Sequence, residues 1–459
     1  MSEKLSKDKF CKYLFLSGVY LLLLPFFLNI EKLFSGSYFF YGDYLSGSTT
    51  SFSGNFLNFL FLFFVFTLLF FSYFYILKEG IFLSNVAISL TVFAFFLLPP
   101  IGSSDWMLYF NIGREVFKGV DPYLKGVSFV NPFFSILGSV KFGEVKNFLP
   151  TTPLFNYFLL FLYIISFKKL FLFLIWLKFF SLSFLILIYR VFLKFPGIEG
   201  EKLKLLIFGN PFLLFEFLSN CHYDLFWVFF AVGVVYFLFS EKKLKAIVFF
   251  FLTSLIKYSG FGSIFLFLRR KRFKIFFFAL IGYIALFYIL SFQFNFEIFK
   301  ILRGLKIQVF WAKYSLIHLI SITFPLHSVK LIFSIMGLLL ILSFLYFKRD
   351  IIWEEKSHEV DFFLLTFLYL IAIAFFSAVL YPWYVLWVYF FSIPLFFSER
   401  GRDIFNLLLF TVYFSQIIYP IEYLFGRVGV SVMWEVFYVS VLYFCFFYTI
   451  FRFFRFSKN

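Results

Sequence analysis

Residues 56–77 read FLNFLFLFFVFTLLFFSYFYIL and contain no charged side chain. A transmembrane helix needs about 20 mostly apolar residues, and a helix satisfies its backbone hydrogen bonds internally in hydrocarbon. Similar apolar stretches follow one another along the chain, so we predict an all-α, polytopic transmembrane helix bundle of about twelve spans, with a range of eleven to thirteen. The predicted spans are 13–30, 56–77, 81–100, 170–189, 203–220, 224–240, 274–292, 328–347, 362–380, 383–397, 404–420 and 431–451.

The composition excludes an ordinary soluble globular protein. Hydrophobic residues make up 63% of the 459 residues, whereas charged residues make up only 14%, well below the usual fraction. The net charge is +17, but the cations cluster beside apolar spans, which is typical of a membrane orientation signal and not of nucleic-acid binding. The three cysteines have neither paired nor metal-like spacing. The expected partners therefore include the lipid bilayer and no nucleic acid.

Basic residues predict the orientation of the bundle. Four lysines within residues 2–12 precede the first span and place the N-terminus in the cytoplasm. With twelve spans both termini are cytoplasmic, and residues 101–152 form an extracytoplasmic loop. The predicted location is the cell membrane, which the chain crosses several times. Cleavage of the first segment as a signal peptide, near residues 35–37, is the alternative.

Two apolar stretches are predicted not to cross the membrane. Residues 153–167 are short for a crossing and are interpreted as an interfacial helix. Residues 246–268 contain Lys257, Gly260 and Gly262 near their middle, which predicts two half-helices that enter and return. Such a break is tolerated only where protein or a water-filled cavity surrounds it.

The predicted organisation is a single integral membrane domain over residues 1–459. Residues 1–100 hold three N-terminal spans. Residues 101–169 form an extracytoplasmic catalytic loop with interfacial helices, and residues 170–459 form the remaining transmembrane bundle.

The extracytoplasmic loop carries an acidic residue at the start of a predicted helix. Asp105 follows Ser103, a candidate N-cap, and the composition is helical from there to Lys118. A helix dipole stabilises a carboxylate in the first turn. Tyr109, four residues further, lies on the same face and offers a ring to a sugar or a lipid. A structural helix-start acid and an interfacial aromatic residue are the alternatives.

Ionisable residues within the later apolar segments are further candidates. Glu216, His222 and Asp224 share one stretch, where a charge at the bilayer centre costs roughly 2.5–3.5 kcal/mol on insertion scales. His222 and Asp224 are close enough in sequence to bond each other or to share a ligand, although two residues do not make a metal site. A polar turn satisfied by a neighbouring helix is the alternative.

Two cations are candidates to neutralise a phosphate. Lys257 lies in the broken stretch, and Arg303 lies in a later outer segment. Arginine offers a planar bidentate donor and lysine a compact charge. Binding of anionic lipid headgroups is the alternative for Arg303.

Aromatic side chains gather at one predicted outer boundary. Trp383 and Tyr384 follow Pro382, and Trp387 comes one turn later. Such rings stack against sugars or line a polyprenyl groove, and an interfacial aromatic belt is the alternative. The chain has no P-loop and no dinucleotide-binding glycine motif. A phosphate-activated donor is therefore expected to arrive within the membrane.

In this order, the motifs resemble the GT-C superfamily of integral membrane glycosyltransferases. Within it they are similar to bacterial polyprenol-phosphate-mannose-dependent mannosyltransferases, including the alpha-1,6-mannosyltransferase branch. The resemblance runs from about residue 101 to residue 400 and rests on Asp105-x-x-x-Tyr109, Gly119-x-Asp121-Pro122-Tyr123, Pro150-Thr151-Thr152-Pro153-Leu154, Asn210-Pro211, His222-x-Asp224, Lys257 and Pro382-Trp383-Tyr384-x-x-Trp387.

The resemblance implies transfer of a hexose, mannose in this family, from a polyprenyl-phosphate sugar donor to a glycan or glycolipid acceptor of the cell envelope. Asp105 would be the general base, and the anomeric carbon would be inverted. No cofactor is implied with certainty, and a divalent metal stays open. A polytopic transporter or lipid flippase is the alternative function, although the chain shows no internal repeat. The expected substrate-binding residues are Tyr109, Tyr123, Glu216, His222, Asp224, Lys257, Arg303, Trp383 and Tyr384.

Overall fold

A computed structural model gives the three-dimensional structure of the protein. It describes residues 2–28, 52–98, 100, 105–120, 152–269, 273–292, 315–321, 325–354, 357–377, 380–399, 401–420 and 432–455. Within these ranges all regular secondary structure is helical and there is no strand. The predicted all-α class is therefore confirmed for this part of the chain.

The described residues form nineteen α-helices. The N-terminal half contains α1 (Ser2–Leu28), α2 (Phe52–Lys78), α3 (Asn85–Leu97), α4 (Asp105–Phe117), α5 (Pro153–Ile165), α6 (Leu170–Phe192), α7 (Gly200–Phe208), α8 (Pro211–Leu214), α9 (Asp224–Phe239), α10 (Lys243–Ile256) and α11 (Phe265–Arg269). The C-terminal half contains α12 (Phe273–Phe292), α13 (Leu316–Ser321), α14 (Leu326–Phe347), α15 (Arg349–Glu354), α16 (His358–Ile371), α17 (Pro382–Phe397), α18 (Arg402–Gln416) and α19 (Val432–Arg455).

Three irregular helical turns complete the description. A π-helix, Phe215–Ser219, continues α8, and a second, Ala372–Phe376, continues α16. A 3₁₀-helix, Tyr258–Ile264, lies between α10 and α11.

Five helical segments are long and apolar enough to cross a membrane. They are Leu60–Lys78, Leu170–Phe192, Ser328–Phe347, His358–Phe376 and Met433–Arg455. A sixth crossing is possible if the pair Pro211–Ser219 and Asp224–Phe239, bent by 116°, counts as one broken span. The structure therefore supports a membrane protein, while the count of twelve spans stays a prediction.

The predicted span 203–220 differs from the structure, because it is not one continuous helix. The first helix ends at Phe208, and the Asn210 side chain accepts hydrogen bonds from the backbone N–H groups of Phe212 (3.0 Å) and Leu213 (3.2 Å). Asn210 is thus an N-cap, and Pro211 occupies the first helical position, where its missing N–H costs nothing. The sequence pair Asn210-Pro211 therefore restarts the helix in the middle of the predicted span.

The two stretches predicted not to cross are short helices. Residues 153–165 form one helix, as predicted, and residues 243–269 are broken at Lys257, where the backbone is extended (φ −150°, ψ 137°). The hydroxyl of Thr152 donates to the carbonyls of Leu255 and Ile256 (2.8 Å to Ile256), which are among the last of α10. This contact satisfies carbonyls that the broken helix would otherwise leave without a partner.

A close helix contact positions α4 on the bundle. Helices α4 and α5 pack against each other, and a side chain at Gly113 would come within 2.6 Å of the backbone oxygen of Leu159. Only glycine allows this approach. Because Asp105 begins α4, the packing of α4 on α5 sets the place of that carboxylate.

A buried lysine holds the segment that leads to α4. Lys178, in the middle of α6, is 4% exposed. Its ammonium donates to the carbonyls of Phe96 (2.8 Å) and Leu98 (2.6 Å) at the end of α3. The Ser219 hydroxyl also donates to the Leu98 carbonyl (3.3 Å). Three elements are thus tied together where α3 ends, shortly before Asp105.

We expect Lys178→Met to lower the thermal stability of the purified protein. The change keeps the length of the side chain but leaves the Phe96 carbonyl without this donor, and an unsatisfied buried polar group costs about 1–3 kcal/mol. Lys242→Met, at an exposed lysine, is the control. Thermal unfolding in detergent should show a lower midpoint for Lys178→Met alone; equal midpoints for both variants would contradict the role of Lys178.

Candidate active site

Asp105 is the first residue of α4, so the predicted helix start is confirmed. Its side chain is 38% exposed. Ser103, the predicted N-cap, lies outside the described residues.

His222 lies between two carboxylates. Its Nδ1 atom is 3.5 Å from Oδ2 of Asp105, and its Nε2 atom is 3.3 Å from Oε2 of Glu216. The imidazole is fully buried. These separations are those of ion pairs and are longer than good hydrogen bonds. Two neighbouring carboxylates favour the protonated imidazolium over the neutral ring.

Glu216 is fully buried and has several polar contacts. The Tyr419 hydroxyl donates to Oε1 (2.8 Å), and the Asn220 amide donates to Oε2 (3.2 Å), the oxygen that also faces His222. A buried carboxylate is expensive unless it is paired and hydrogen-bonded, and here both oxygens have partners. Tyr419 and Asn220 were not predicted from the sequence.

Unusual backbone brings Glu216 and His222 together. Glu216 lies in the π-helix that continues α8, and Cys221 has a φ of 60°, in the left-handed region. Single π turns occur often at functional sites, and a non-glycine residue at positive φ is strained. The turn at Cys221 ends the π-helix and starts the reversal into α9.

Asp224 does not pair with His222, as its sequence position had allowed, but with Lys257. The Lys257 ammonium forms an ion pair with Oδ1 of Asp224, which is 1% exposed. Asp224 is the first residue of α9, and Lys257 lies at the break after α10. Helices α9 and α10 pack closely as a hairpin. The end of α10, where Lys257 lies, is therefore beside the start of α9, where Asp224 lies.

Aromatic rings surround the Lys257 ammonium. Its nitrogen lies 4.7 Å from the ring centroid of Tyr223, 5.2 Å from that of Tyr384 and 4.7 Å from that of Trp387. Each ring face attracts the cation. Trp387 is thus part of the cluster, as its place in the aromatic motif indicated.

Trp383 stacks on His222. The two rings are 3.8 Å apart and 21° from parallel, and Tyr381 stacks on Trp383 at 4.4 Å and 10°. The indole therefore packs between two rings. This contact brings the N-terminus of α17 to the turn between the π-helix and α9.

Tyr109 is buried among aromatic side chains. Its ring meets Phe155 edge-on at 5.6 Å and Tyr223 at 5.4 Å. Only 2% of the residue is exposed, so it links α4 to the cluster more than it faces solvent.

The structure thus brings together eight of the ten residues that the sequence singled out. The other two, Tyr123 and Arg303, lie outside the described residues. Among the residues that the structure does describe, no group of three or more His, Cys, Asp or Glu side chains could hold a metal ion. The eight that meet are Asp105, Tyr109, Glu216, His222, Asp224, Lys257, Trp383 and Tyr384.

Comparison with known protein families finds a match for part of the chain. Residues 48–268 match the family described as alpha-(1->6)-mannopyranosyltransferase, N-terminal domain. No curated protein and no solved structure matches the chain significantly. The matched segment contains all the charged residues of the cluster, from Asp105 to Lys257, and excludes Trp383 and Tyr384. Residues 48–268, just under half of the chain, are therefore similar to the N-terminal domain of alpha-(1->6)-mannopyranosyltransferases, which agrees with the resemblance to GT-C mannosyltransferases and supports a glycosyltransferase.

Proposed function

We propose that the protein transfers a hexose, in the first place mannose, from a polyprenyl-phosphate donor to a lipid-linked or cell-envelope glycan. The reaction takes place on the extracytoplasmic face of the cell membrane. The proposal keeps the twelve-span topology with cytoplasmic termini and a single integral membrane domain.

One observation carries the choice of the catalytic base. The cluster contains three carboxylates, and only that of Asp105 has an accessible side chain, at 38%, against 0% for Glu216 and 1% for Asp224. A general base must come within hydrogen-bond distance of the hydroxyl that it deprotonates. Asp105, although paired with His222, is exposed enough to meet an acceptor hydroxyl, whereas Glu216 and Asp224 are buried.

The proposed reaction is one displacement. The acceptor hydroxyl oxygen attacks the anomeric carbon and gives its proton to the Asp105 carboxylate. The bond between that carbon and the phosphate oxygen breaks, and its electron pair leaves with the polyprenyl phosphate. Because the attack comes from the side opposite the leaving group, the anomeric configuration is inverted. Asp105 then releases its proton to water.

Lys257 is the proposed partner of the leaving phosphate. A lysine ammonium has three N–H donors, and Asp224 accepts from one side of it. A phosphate oxygen can therefore join Asp224 on the same cation. Fixed positive charge at a departing group lowers the barrier because it stabilises charge that develops in the transition state. The rings of Tyr223, Tyr384 and Trp387 keep the ammonium in place for this contact.

Tyr384 is the aromatic residue that we propose stacks against the sugar. It is partly exposed, whereas Trp383 is 7% exposed and packs between His222 and Tyr381. Tyr384 also adjoins the Lys257 ammonium, where the proposed phosphate would lie. A sugar attached to that phosphate would therefore reach this ring.

We expect Asp105→Asn to abolish sugar transfer. Loss of a general base costs about 10²–10⁴-fold in rate, and asparagine keeps the shape of the side chain. The measurement is transfer from a panel of polyprenyl-phosphate sugars to acceptor lipids by the purified protein in liposomes.

The control for Asp105→Asn is Asp403→Asn, which removes an exposed carboxylate paired with Arg452. Wild type and control should transfer the sugar equally. Full activity of the Asp105 variant would remove it as the base. Absence of transfer by folded wild-type protein from every donor would favour the transporter or flippase instead.

We expect Lys257→Met to raise the KM for the donor by about tenfold or more, because the variant lacks the ammonium that would contact the donor phosphate. A tenfold rise corresponds to about 1.4 kcal/mol of lost binding. The single variant also leaves Asp224 buried and unpaired, which by itself destabilises the fold. The double variant Lys257→Met with Asp224→Asn removes that buried charge. A raised donor KM or a lowered kcat in the double variant supports the phosphate role; wild-type values of both would leave Lys257 with a structural role only.

The topology makes Lys118 extracytoplasmic and Lys242 cytoplasmic. In a Cys11→Ser background, a cysteine at either exposed position can be labelled with a membrane-impermeant maleimide, since Cys221 and Cys445 are buried. Intact cells should label Lys118→Cys and not Lys242→Cys, while opened cells should label both. The opposite pattern would place the proposed site on the cytoplasmic face.

A further inference from the structure

Glu216 was expected to bind substrate, and its carboxylate is held by other side chains of the protein. The carboxylate is fully buried, and Tyr419, Asn220 and His222 occupy both of its oxygens. A substrate would have to displace these partners and leave a buried charge poorly compensated, at a cost of several kcal/mol.

The contacts of Glu216 lead to Asp105 through one ring. His222 touches Glu216 with Nε2 and Asp105 with Nδ1, so the two carboxylates lie on opposite sides of the imidazole. The imidazole can form an ion pair with both carboxylates at once only when both of its nitrogens are protonated and the ring is positively charged. The charges then alternate as carboxylate, imidazolium, carboxylate. The indole of Trp383, parallel to the imidazole at 3.8 Å, fixes the plane of the ring and adds a cation–π contact.

The Glu216 carboxylate, at the other end of this series of contacts, is held by two elements of the fold. Glu216 lies in a π-helix, and Asn220 follows one turn later within the same segment. Tyr419 comes from the end of the segment after α18, so the carboxylate is held from two separate elements. The strained backbone at Cys221 is consistent with a turn whose purpose is to place His222.

We infer that Glu216 is a positioning residue for the transfer reaction, and that it acts through His222 to orient the Asp105 carboxylate. This inference rests on the proposed function. Glu216 fixes the imidazolium, the imidazolium lies beside Oδ2 of Asp105, and the Asp105 carboxylate, which is 38% exposed, is thereby turned toward the acceptor hydroxyl. If the base is misplaced, kcat falls while substrate affinity is unchanged, because the orientation of the base matters in the transition state.

The test is the kinetics of Glu216→Gln in the liposome transfer assay. Glutamine keeps the volume and can keep contacts with Tyr419 and Asn220, but it removes the charge that faces His222. We expect kcat to fall by about 10- to 100-fold while the donor and acceptor KM values stay within about twofold of wild type. Glu435→Gln is the matched control, because Glu435 approaches another histidine, His318, at 3.5 Å outside the cluster.

Tyr419→Phe is a milder second variant that keeps the charge of Glu216 and removes the hydrogen bond to Oε1. It should lower kcat by a few fold, again at constant KM, and it keeps the inference testable if Glu216→Gln does not fold. A raised KM with unchanged kcat would make Glu216 a substrate contact and overturn the inference. Wild-type kinetics for the folded variants would also overturn it.

The outcomes separate this inference from the proposed function. If wild type transfers sugar and Asp105→Asn does not, the function stands whatever Glu216→Gln shows. If wild type transfers no sugar from any donor, both proposals fall.

Discussion

Charged side chains buried in an apolar helix bundle must be paired, and this requirement organises the cluster around Asp105 and Lys257. A buried charge lacks water and needs a partner of opposite sign or several hydrogen bonds. Lys257 pairs with Asp224, His222 lies between Asp105 and Glu216, and Lys178 donates to backbone carbonyls. Burial of charged pairs costs desolvation free energy that a wholly apolar core would not. Its presence at one place, beside an accessible carboxylate, is the physical reason to regard the cluster as a catalytic site.

Broken helices make this pairing possible. A continuous helix offers no backbone hydrogen-bonding groups along its length, whereas each interruption exposes carbonyls and N–H groups and turns side chains inward. Asn210 restarts a helix, the π-helix carries Glu216, and the break at Lys257 is satisfied by Thr152. The cluster therefore lies where several interruptions meet. The same arrangement explains why only some of the helices are long enough to cross a membrane alone.

The helical architecture and the residues of the cluster could be predicted from the sequence, but their pairing could not. Apolar runs reveal helices, and an ionisable residue within such a run is unusual enough to be noticed, as with Glu216 and Lys257. His222 and Asp105 are far apart in the chain, and no local pattern shows that they meet. The proximity of His222 to Asp224 in sequence instead allowed a contact between them, whereas in the structure Asp224 pairs with Lys257. Tyr419 carried no signal, because tyrosine is common throughout this chain.

The most direct measurement of the central claim is a cryo-electron microscopy structure of the Asp105→Asn variant with a bound polyprenyl-phosphate mannose, aided by an antibody fragment. The account predicts a phosphate oxygen within hydrogen-bond distance of the Lys257 ammonium and a sugar between Lys257 and position 105. A phosphate bound away from Lys257, or a sugar that cannot approach position 105, would contradict it.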